Sequence, residues 1–216
     1  MSQEQQKVIS CEQCKANPCA FGYPDGMPAW CPGTRYQDII EEAKTTYLKP
    51  ENLNIHVSAA KVIKRGEEKW PRIQETIEFA RELGVKKIGF AICIGLLRET
   101  KELVRFFQRA GFNDLVVAGC MIGGLNDTET GVPKEYSYPY GATCNPIAQA
   151  EILNKEGTEL NVMVGLCVGH DTLFLKYAKA PVTVFAVKDR PTGNNPIAPL
   201  FSMYHRMWLN QAYKKD

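Results

Sequence analysis

The chain has 216 residues, 44% hydrophobic and 23% charged, an ordinary composition for a globular protein that excludes wholesale disorder. Its 26 basic and 24 acidic residues leave a net charge of +2, which gives no general basic surface for nucleic acid. The N-terminus lacks an apolar signal region, and the longest apolar run, residues 88–97, is far shorter than the roughly 20 residues of a membrane span. We therefore expect a cytoplasmic protein with no nucleic-acid or membrane partner.

Residues 11–34 are rich in cysteine, glycine and proline and show no sustained periodicity. Four cysteines fall within this segment: Cys11, Cys14, Cys19 and Cys31. The spacing of the first two is the one at which a single turn presents two thiolates to one metal. A short segment that buries little apolar surface needs a metal, or docking onto a larger body, to become ordered. We interpret residues 1–35 as a metal-binding segment and residues 36–216 as an α/β domain.

The spacing of these cysteines favours an iron–sulfur cluster over zinc. Zinc sites commonly use two closely spaced cysteine pairs, whereas here only Cys11 and Cys14 form such a pair. Iron–sulfur clusters accept irregular spacings because the cluster is larger and its ligands lie further apart. Zinc remains the alternative at this site.

The rest of the chain alternates between helical patterns and short apolar runs typical of buried strands. Helical spacing of apolar residues is found at 36–48, 53–64, 67–83, 98–110, 145–154, 171–178 and 197–213. The apolar runs are at 87–93, 115–119, 160–166 and 182–187. This alternation indicates a parallel sheet of four or five strands with helices on both faces, and a mixed α+β domain is the alternative. The polar, tyrosine-containing stretch 125–143 interrupts the pattern and is interpreted either as a lid over a site or as a floppy insertion.

A second set of cysteines is scattered in sequence but not in the predicted fold. Cys93, Cys120 and Cys167 end three predicted strands, and Cys144 directly precedes a predicted helix. The carboxyl ends of parallel strands lie at one edge of the sheet, where ligands bind. Three of these thiols should therefore share that edge. Cys144 should join them if the stretch 125–143, a long loop, returns to that edge. The alternative is that each is a buried core cysteine.

A glycine follows three of these cysteines at a distance of two or three residues, at Gly95, Gly123 and Gly169. Glycine permits a tight turn and lets backbone amides approach a sulfide or an anion, so these are the candidate cofactor-binding residues. The N-termini of the following helices are expected to favour thiolates at the same edge.

His170 and Asp171 follow Cys167 and are the candidate catalytic residues. His170 could donate a proton or be a structural histidine, whereas Asp171 is more simply a helix cap. Lys188, Asp189 and Arg190 follow the fourth apolar run and could hold an anionic substrate, although a solvated turn is the favoured interpretation.

Three stretches carry a family resemblance: Cys144 followed by NPIAQAEILN, the run NVMVGLCVGHDTLFLKYAKAPVTVFAVKDR at 161–190, and Asn195-Pro196. They resemble a prokaryotic family of cysteine-rich proteins named as metal-binding, domain of unknown function 1847. The resemblance covers most of the chain and is most specific over residues 164–190. It implies metal binding and a bacterial or archaeal origin, and it implies no reaction.

The leading hypothesis is a cytoplasmic protein with two cysteine-ligated iron–sulfur clusters of the four-iron, four-sulfur type. The N-terminal cluster would take electrons from a carrier protein, and the cluster at the sheet edge would act on a small molecule, which would make the protein an iron–sulfur oxidoreductase. The edge cluster could also be shared across a homodimer. A second hypothesis is a zinc-binding, non-enzymatic protein that binds or senses a ligand or metal. A third is metal-free chemistry with Cys93 or Cys167 as the nucleophile.

Overall fold

The computed structural model describes residues 11–15, 17–137 and 141–214. The chain forms two compact units, residues 1–60 and residues 61–216. The division into a metal-binding segment at 1–35 and an α/β domain at 36–216 stays a prediction.

The first unit consists of short turns followed by helices. Single 3-10 turns occupy Cys11–Gln13, Pro18–Phe21 and Pro24–Gly26, and helices α1 (Pro32–Arg35), α2 (Gln37–Tyr47) and α3 (Pro50–Gly66) follow. The rings of Tyr47 and His56 lie 4.7 Å apart between centroids, and the Asn52 amide donates to the Thr46 carbonyl at 2.9 Å. These two contacts join α2 to α3. Helix α3 continues from the first unit into the second.

The second unit is built on a four-stranded parallel sheet. Its strands are β1 (Lys87–Ile92), β2 (Asp114–Gly119), β3 (Leu160–Leu166) and β4 (Val182–Val187), in the order β2-β1-β3-β4. The helices are α4 (Arg72–Leu83), α5 (Leu97–Arg109), α6 (Pro146–Glu156), α7 (His170–Tyr177), α8 (Ala198–Phe201) and α9 (Met203–Ala212). The predicted α/β fold is confirmed, with four strands.

Strand β1 shows why both faces of the sheet are covered. Ile88, Phe90 and Ile92 belong to one buried cluster, and Ala91 and Cys93 belong to another, because alternate residues of a strand point to opposite faces. Helices α4 and α5 cover the first face, and α6 and α7 cover the second. Burial on both faces explains why the central strands β1 and β3 read as continuous apolar runs.

The strand order creates a crevice at one edge of the sheet. The two strands that follow β1 in sequence, β2 and β3, lie on opposite sides of it. Helix α5 therefore packs on one face and α6 on the other. Where the strand order reverses in this way, a crevice opens outside the carboxyl ends of the strands, and ligands bind there. Here the crevice lies between the ends of β1 and β3.

Two predicted helices differ from those observed. The helix predicted at 67–83 begins at Arg72, because Glu67 and Glu68 have left-handed backbone angles (φ 39° and 64°) and Pro71 is extended. The closing helix predicted at 197–213 is two helices, because Ser202 between them is extended. No helix in the described part of the chain is long and apolar enough to cross a membrane.

Candidate metal centre

The four cysteines of the second unit line one pocket at the carboxyl edge of the sheet, with a volume of about 210 Å³. Cys93 follows β1, Cys120 follows β2, Cys167 follows β3 and Cys144 lies two residues before α6. The pocket is completed by Ile94, Gly95, Met121, Ala142, Lys188 and Arg190. Four separate segments of the chain thus each contribute one thiol to the same pocket.

Backbone hydrogen bonds at the base of the long loop return Cys144 to this edge. Asn126 and Ala142 form an antiparallel bridge, and the Thr143 amide donates to the Leu125 carbonyl at 2.9 Å. The Asn145 amide then donates to the Cys120 carbonyl at 2.6 Å. The chain on either side of Cys144 is therefore held by residues 120–126, directly after β2.

The long loop itself was predicted to be either a lid or a floppy insertion. Its described part contains two 3-10 turns, Asp127–Thr130 and Lys134–Tyr136. Asn126 caps the first turn by accepting from the Thr128 amide at 3.1 Å. Of the three tyrosines, Tyr136 is exposed, and Tyr138 and Tyr140 lie outside the described residues.

Helix α6 begins with a side-chain cap and a proline. The Asn145 side-chain oxygen accepts from the Ala148 amide at 3.0 Å, and Pro146 is the first helical residue. The Asn145 side-chain nitrogen also donates to the Ile122 carbonyl at 3.3 Å. The residue after Cys144 is thus fixed both to its own helix and to the turn that follows β2.

Gln149 positions the ends of two strands from the interior of α6. Its side chain is fully buried, and its Nε2 donates to the carbonyl of Ile92 at 3.1 Å and to that of Ala118 at 2.7 Å. These carbonyls stand one residue before Cys93 and two before Cys120. Sequence reasoning missed Gln149. The available signal was a polar residue on the helix face that also carries the buried Leu153.

The turn after Cys93 lies close against the backbone of β3. Gly165, in β3, has φ +68°, and a Cβ there would stand 2.1 Å from Leu96 Cδ1. The Leu96 amide donates to the Cys93 carbonyl at 2.8 Å, and the Cys93 amide donates to the Val164 carbonyl at 3.0 Å. A side chain at position 165 would crowd Leu96 and would require a left-handed backbone, which glycine adopts at the lowest cost.

Hydrogen bonds link three of the thiols in a chain. Cys93 donates to Cys120, and Cys120 donates to Cys144, while the Ile94 amide donates to Cys120 Sγ at 3.3 Å. Donation to Cys120, together with burial, raises the pKa of Cys93. Donation to Cys144 raises the pKa of Cys120, partly opposed by the bond from Cys93. The bond from Cys120 lowers the pKa of Cys144, and the positive charge of Arg190 acts in the same direction.

The expectation that this edge favours thiolates is therefore wrong for Cys93 and Cys120 in the metal-free protein. Both thiols are buried, and burial disfavours the charged form. Of the three linked thiols, Cys144 ionises first. Binding of a metal would have to displace the protons of the others.

The three candidate glycines differ in position. Gly95 lines the pocket, and a Cβ there would stand 3.3 Å from Lys188 Nζ and 3.7 Å from Cys93 Sγ. Gly123 and Gly169 lie in the turns after Cys120 and Cys167, with φ of 84° and 85°, and do not line the pocket. Their backbone angles shape the turns, and a cofactor-binding role for the three glycines stays a prediction.

His170 and Asp171 open helix α7 rather than line the pocket. Their backbone amides both donate to the Cys167 carbonyl at 3.0 Å. The Asp171 carboxylate accepts from the amides of Gly169 at 3.0 Å and Thr172 at 2.7 Å. The N-cap of α7 is Gly169, so the prediction that Asp171 is the helix cap is wrong: Asp171 is the second residue of the helix. A catalytic role for the half-buried His170 stays a prediction.

The N-terminal cysteines are more open than those of the pocket. Cys11 and Cys19 are exposed, and Cys14 and Cys31 are half-buried. The Cys14 amide donates to the Cys11 carbonyl at 3.1 Å, which closes a turn across the first pair. As the side chains stand, no three histidine, cysteine, aspartate or glutamate residues in the described ranges meet closely enough to hold one metal ion. All eight cysteines are free thiols.

The structure thus defines an α/β unit with a cysteine-lined pocket at its sheet edge. The chain belongs to the family described as a protein of unknown function, DUF1847. The family model matches residues 31–185, which include Cys31 and the four pocket cysteines but not Cys11, Cys14 and Cys19. The chain is 39% identical over 197 residues to the uncharacterized protein MJ0455 of Methanocaldococcus jannaschii, covering 91% of this chain and 96% of that protein. No solved structure matches the chain.

Proposed function

We propose that this is an iron–sulfur protein whose principal cluster is held by Cys93, Cys120, Cys144 and Cys167. The observation that carries the proposal is that these thiols come from four separate segments and line a single pocket at the sheet edge. Four cysteine thiolates are the usual ligand set of a four-iron, four-sulfur cluster.

The size of the pocket supports a polyatomic group. Its volume of about 210 Å³ is more than ten times the roughly 15 Å³ of cavity space that one water molecule needs, so it has more room than a single ion requires. The Ile94 amide that donates to Cys120 Sγ is the kind of hydrogen bond to a ligand sulfur that tunes a cluster's reduction potential.

The N-terminal cysteines are proposed to hold a second iron–sulfur cluster that passes electrons to the first. The turn closed between Cys11 and Cys14 is also the turn on which zinc sites are built, so zinc is the second candidate there. With zinc and no iron, the protein would be a non-enzymatic module that binds or senses a ligand or metal.

Metal-free catalysis by Cys93 receives little support. Its hydrogen bond to Cys120 and its burial raise the pKa of the thiol, whereas a nucleophilic cysteine needs a lowered one. The proposed activity is instead electron transfer, or low-potential redox or sulfur chemistry on a small molecule. We place it in the cytoplasm, with an electron-carrier protein as the source of electrons.

The test is anaerobic purification followed by a visible spectrum and by iron, sulfide and zinc analysis. We expect a brown protein absorbing near ~400 nm with about eight irons per chain, or about four if only the pocket carries a cluster. A colourless protein with one or two zinc ions would overturn the proposal and favour the binding module.

A further inference from the structure

Two positively charged side chains, Lys188 and Arg190, line the same pocket as the four cysteines. Both lie directly after β4, and the Lys188 amide continues the sheet by donating to the Leu166 carbonyl at 3.1 Å. The turn that carries them is closed by Asn194, whose amide donates to the Asp189 carbonyl at 2.7 Å and whose Oδ1 accepts from the Asp189 amide at 3.2 Å. The backbone under both cations is therefore fixed.

The charge of this pair is not balanced by a carboxylate. No aspartate or glutamate is among the residues that line the pocket. Within the described ranges, neither Lys188 nor Arg190 has a carboxylate oxygen within 4.0 Å, whereas Lys61 and Arg65 both pair with Glu82. The pocket therefore presents two positive charges to whatever enters it.

Lys188 lies close to Cys93 in the pocket. Lys188 is half-buried, and its Nζ lies 3.3 Å from the position of a Cβ on Gly95, which is itself 3.7 Å from Cys93 Sγ. Arg190 is exposed and also lines the pocket. The lining therefore offers one compact ammonium and one guanidinium fork.

We propose that Lys188 and Arg190 form a binding subsite for a small oxyanion, which they hold beside the four cysteines. A guanidinium pairs with two oxygens of a carboxylate, phosphate or sulfur oxyanion, and an ammonium adds a point charge. Since the pocket of about 210 Å³ is shared with the proposed cluster, the anion has only a few non-hydrogen atoms. The subsite deepens the proposed function, because it names the class of substrate that reaches the cluster.

The test is calorimetric titration of the purified protein with phosphate, sulfate and acetate at constant ionic strength, with iron measured in each preparation. The comparison is among wild type, Lys188→Gln, Arg190→Gln and the control Lys179→Gln, which removes the same charge from an exposed position outside the pocket. We expect at least one oxyanion to bind wild type and the control alike, and to bind each pocket variant roughly tenfold more weakly or worse.

The outcomes separate this inference from the proposed function. Oxyanion binding that depends on Lys188 and Arg190 in a protein without iron would keep the subsite and reject the cluster. Absence of oxyanion binding in an iron-loaded wild type would overturn the subsite alone. Loss of iron in both pocket variants, with no oxyanion bound by wild type, would also overturn it, since the cations would then serve only to neutralise the cluster.

Discussion

At the scale of single residues, Gln149 acts on the site without lining it. One buried amide nitrogen serves two carbonyls that belong to neighbouring strands, just before Cys93 and Cys120. Each buried carbonyl that loses its donor costs about 1–3 kcal/mol. The positions of Cys93 and Cys120 therefore depend on Gln149, which lies in a helix more than fifty residues after Cys93 in the sequence.

Replacing Gln149 by leucine is expected to lower the free energy of unfolding by about 2 kcal/mol or more, because two carbonyls lose their donor while the side-chain volume changes little. Urea unfolding of the protein measures this. Gln108→Leu is the matched control, since Gln108 is exposed on α5, and it should change stability by no more than about 0.5 kcal/mol. Equal stability of the two variants would contradict the positioning role.

Replacing Gly165 and Gly157 by alanine separates the cost of a strained backbone from the cost of side-chain crowding. Their φ angles are +68° and +69°, but a Cβ at 165 would clash with Leu96 and a Cβ at 157 would meet nothing within 4 Å. Both glycine-to-alanine variants carry the cost of a left-handed backbone, roughly 1–2 kcal/mol. Gly165→Ala should lose a further ~1–3 kcal/mol from overpacking, as measured by thermal unfolding. Equal losses would show that Leu96 moves aside freely.

The residues that could be predicted were those whose positions follow from the strands. Cys93, Cys120 and Cys167 end three strands, so a parallel sheet brings them to one edge. The helix face of Gln149 was readable from the sequence, but its two carbonyl partners were not, because they depend on where α6 crosses the sheet. The charge of Lys188 was visible in the sequence, but the lack of a neutralising carboxylate in the pocket was not.

At the scale of elements, strands were easier to locate than helix ends. Each strand reads as a short apolar run, buried in the central strands β1 and β3 and largely half-buried in the edge strands β2 and β4. The start of α4 was predicted five residues early because the apolar spacing continues through Trp70, while the backbone at Glu67 and Glu68 is left-handed. The apolar spacing at 197–213 likewise continues across Ser202, where the extended backbone separates α8 from α9.

One carboxylate joins the beginnings of two neighbouring strands. Glu159 precedes β3, and its Oε2 accepts from the amides of Lys86 at 2.7 Å and Lys87 at 2.9 Å, at the start of β1. These bonds favour the ionised form and hold the pKa of Glu159 below its usual value of 4.5. The resulting stabilisation is complete above pH 4.5 and is lost as the pH falls through the lowered pKa of the folded protein.

Glu159→Gln should therefore be less stable than wild type at neutral pH, by about 1 kcal/mol or less because the group is exposed. The difference should shrink as the pH falls below 4.5. Urea unfolding at a series of pH values measures it. Glu156→Gln is the control, since Glu156 is also exposed and pairs only with a lysine side chain. A difference that persists unchanged at pH 3 would contradict the assignment.

At the scale of the whole molecule, the topology assembles the site. The reversal of strand order at β1 opens the crevice, and the bridge between Asn126 and Ala142 brings the fourth cysteine to it. The parallel sheet could be predicted from the sequence. The position of Cys144 at the sheet edge could not, because it depends on loop contacts that have no periodic sequence pattern. The identity of the metal could not be predicted, because cysteine thiolates serve both zinc and iron–sulfur clusters.

The central claim is that the four pocket cysteines hold one iron–sulfur cluster. The most direct measurement is the iron and sulfide content of anaerobically purified Cys144→Ala beside Cys19→Ala, since Cys144 is a half-buried cysteine of the pocket and Cys19 is an exposed cysteine of the first unit. The account predicts that Cys144→Ala loses about four irons and four sulfides per chain while keeping any held by the N-terminal cysteines, and that Cys19→Ala retains the pocket's four. Wild-type iron and sulfide content in a folded Cys144→Ala protein would contradict it.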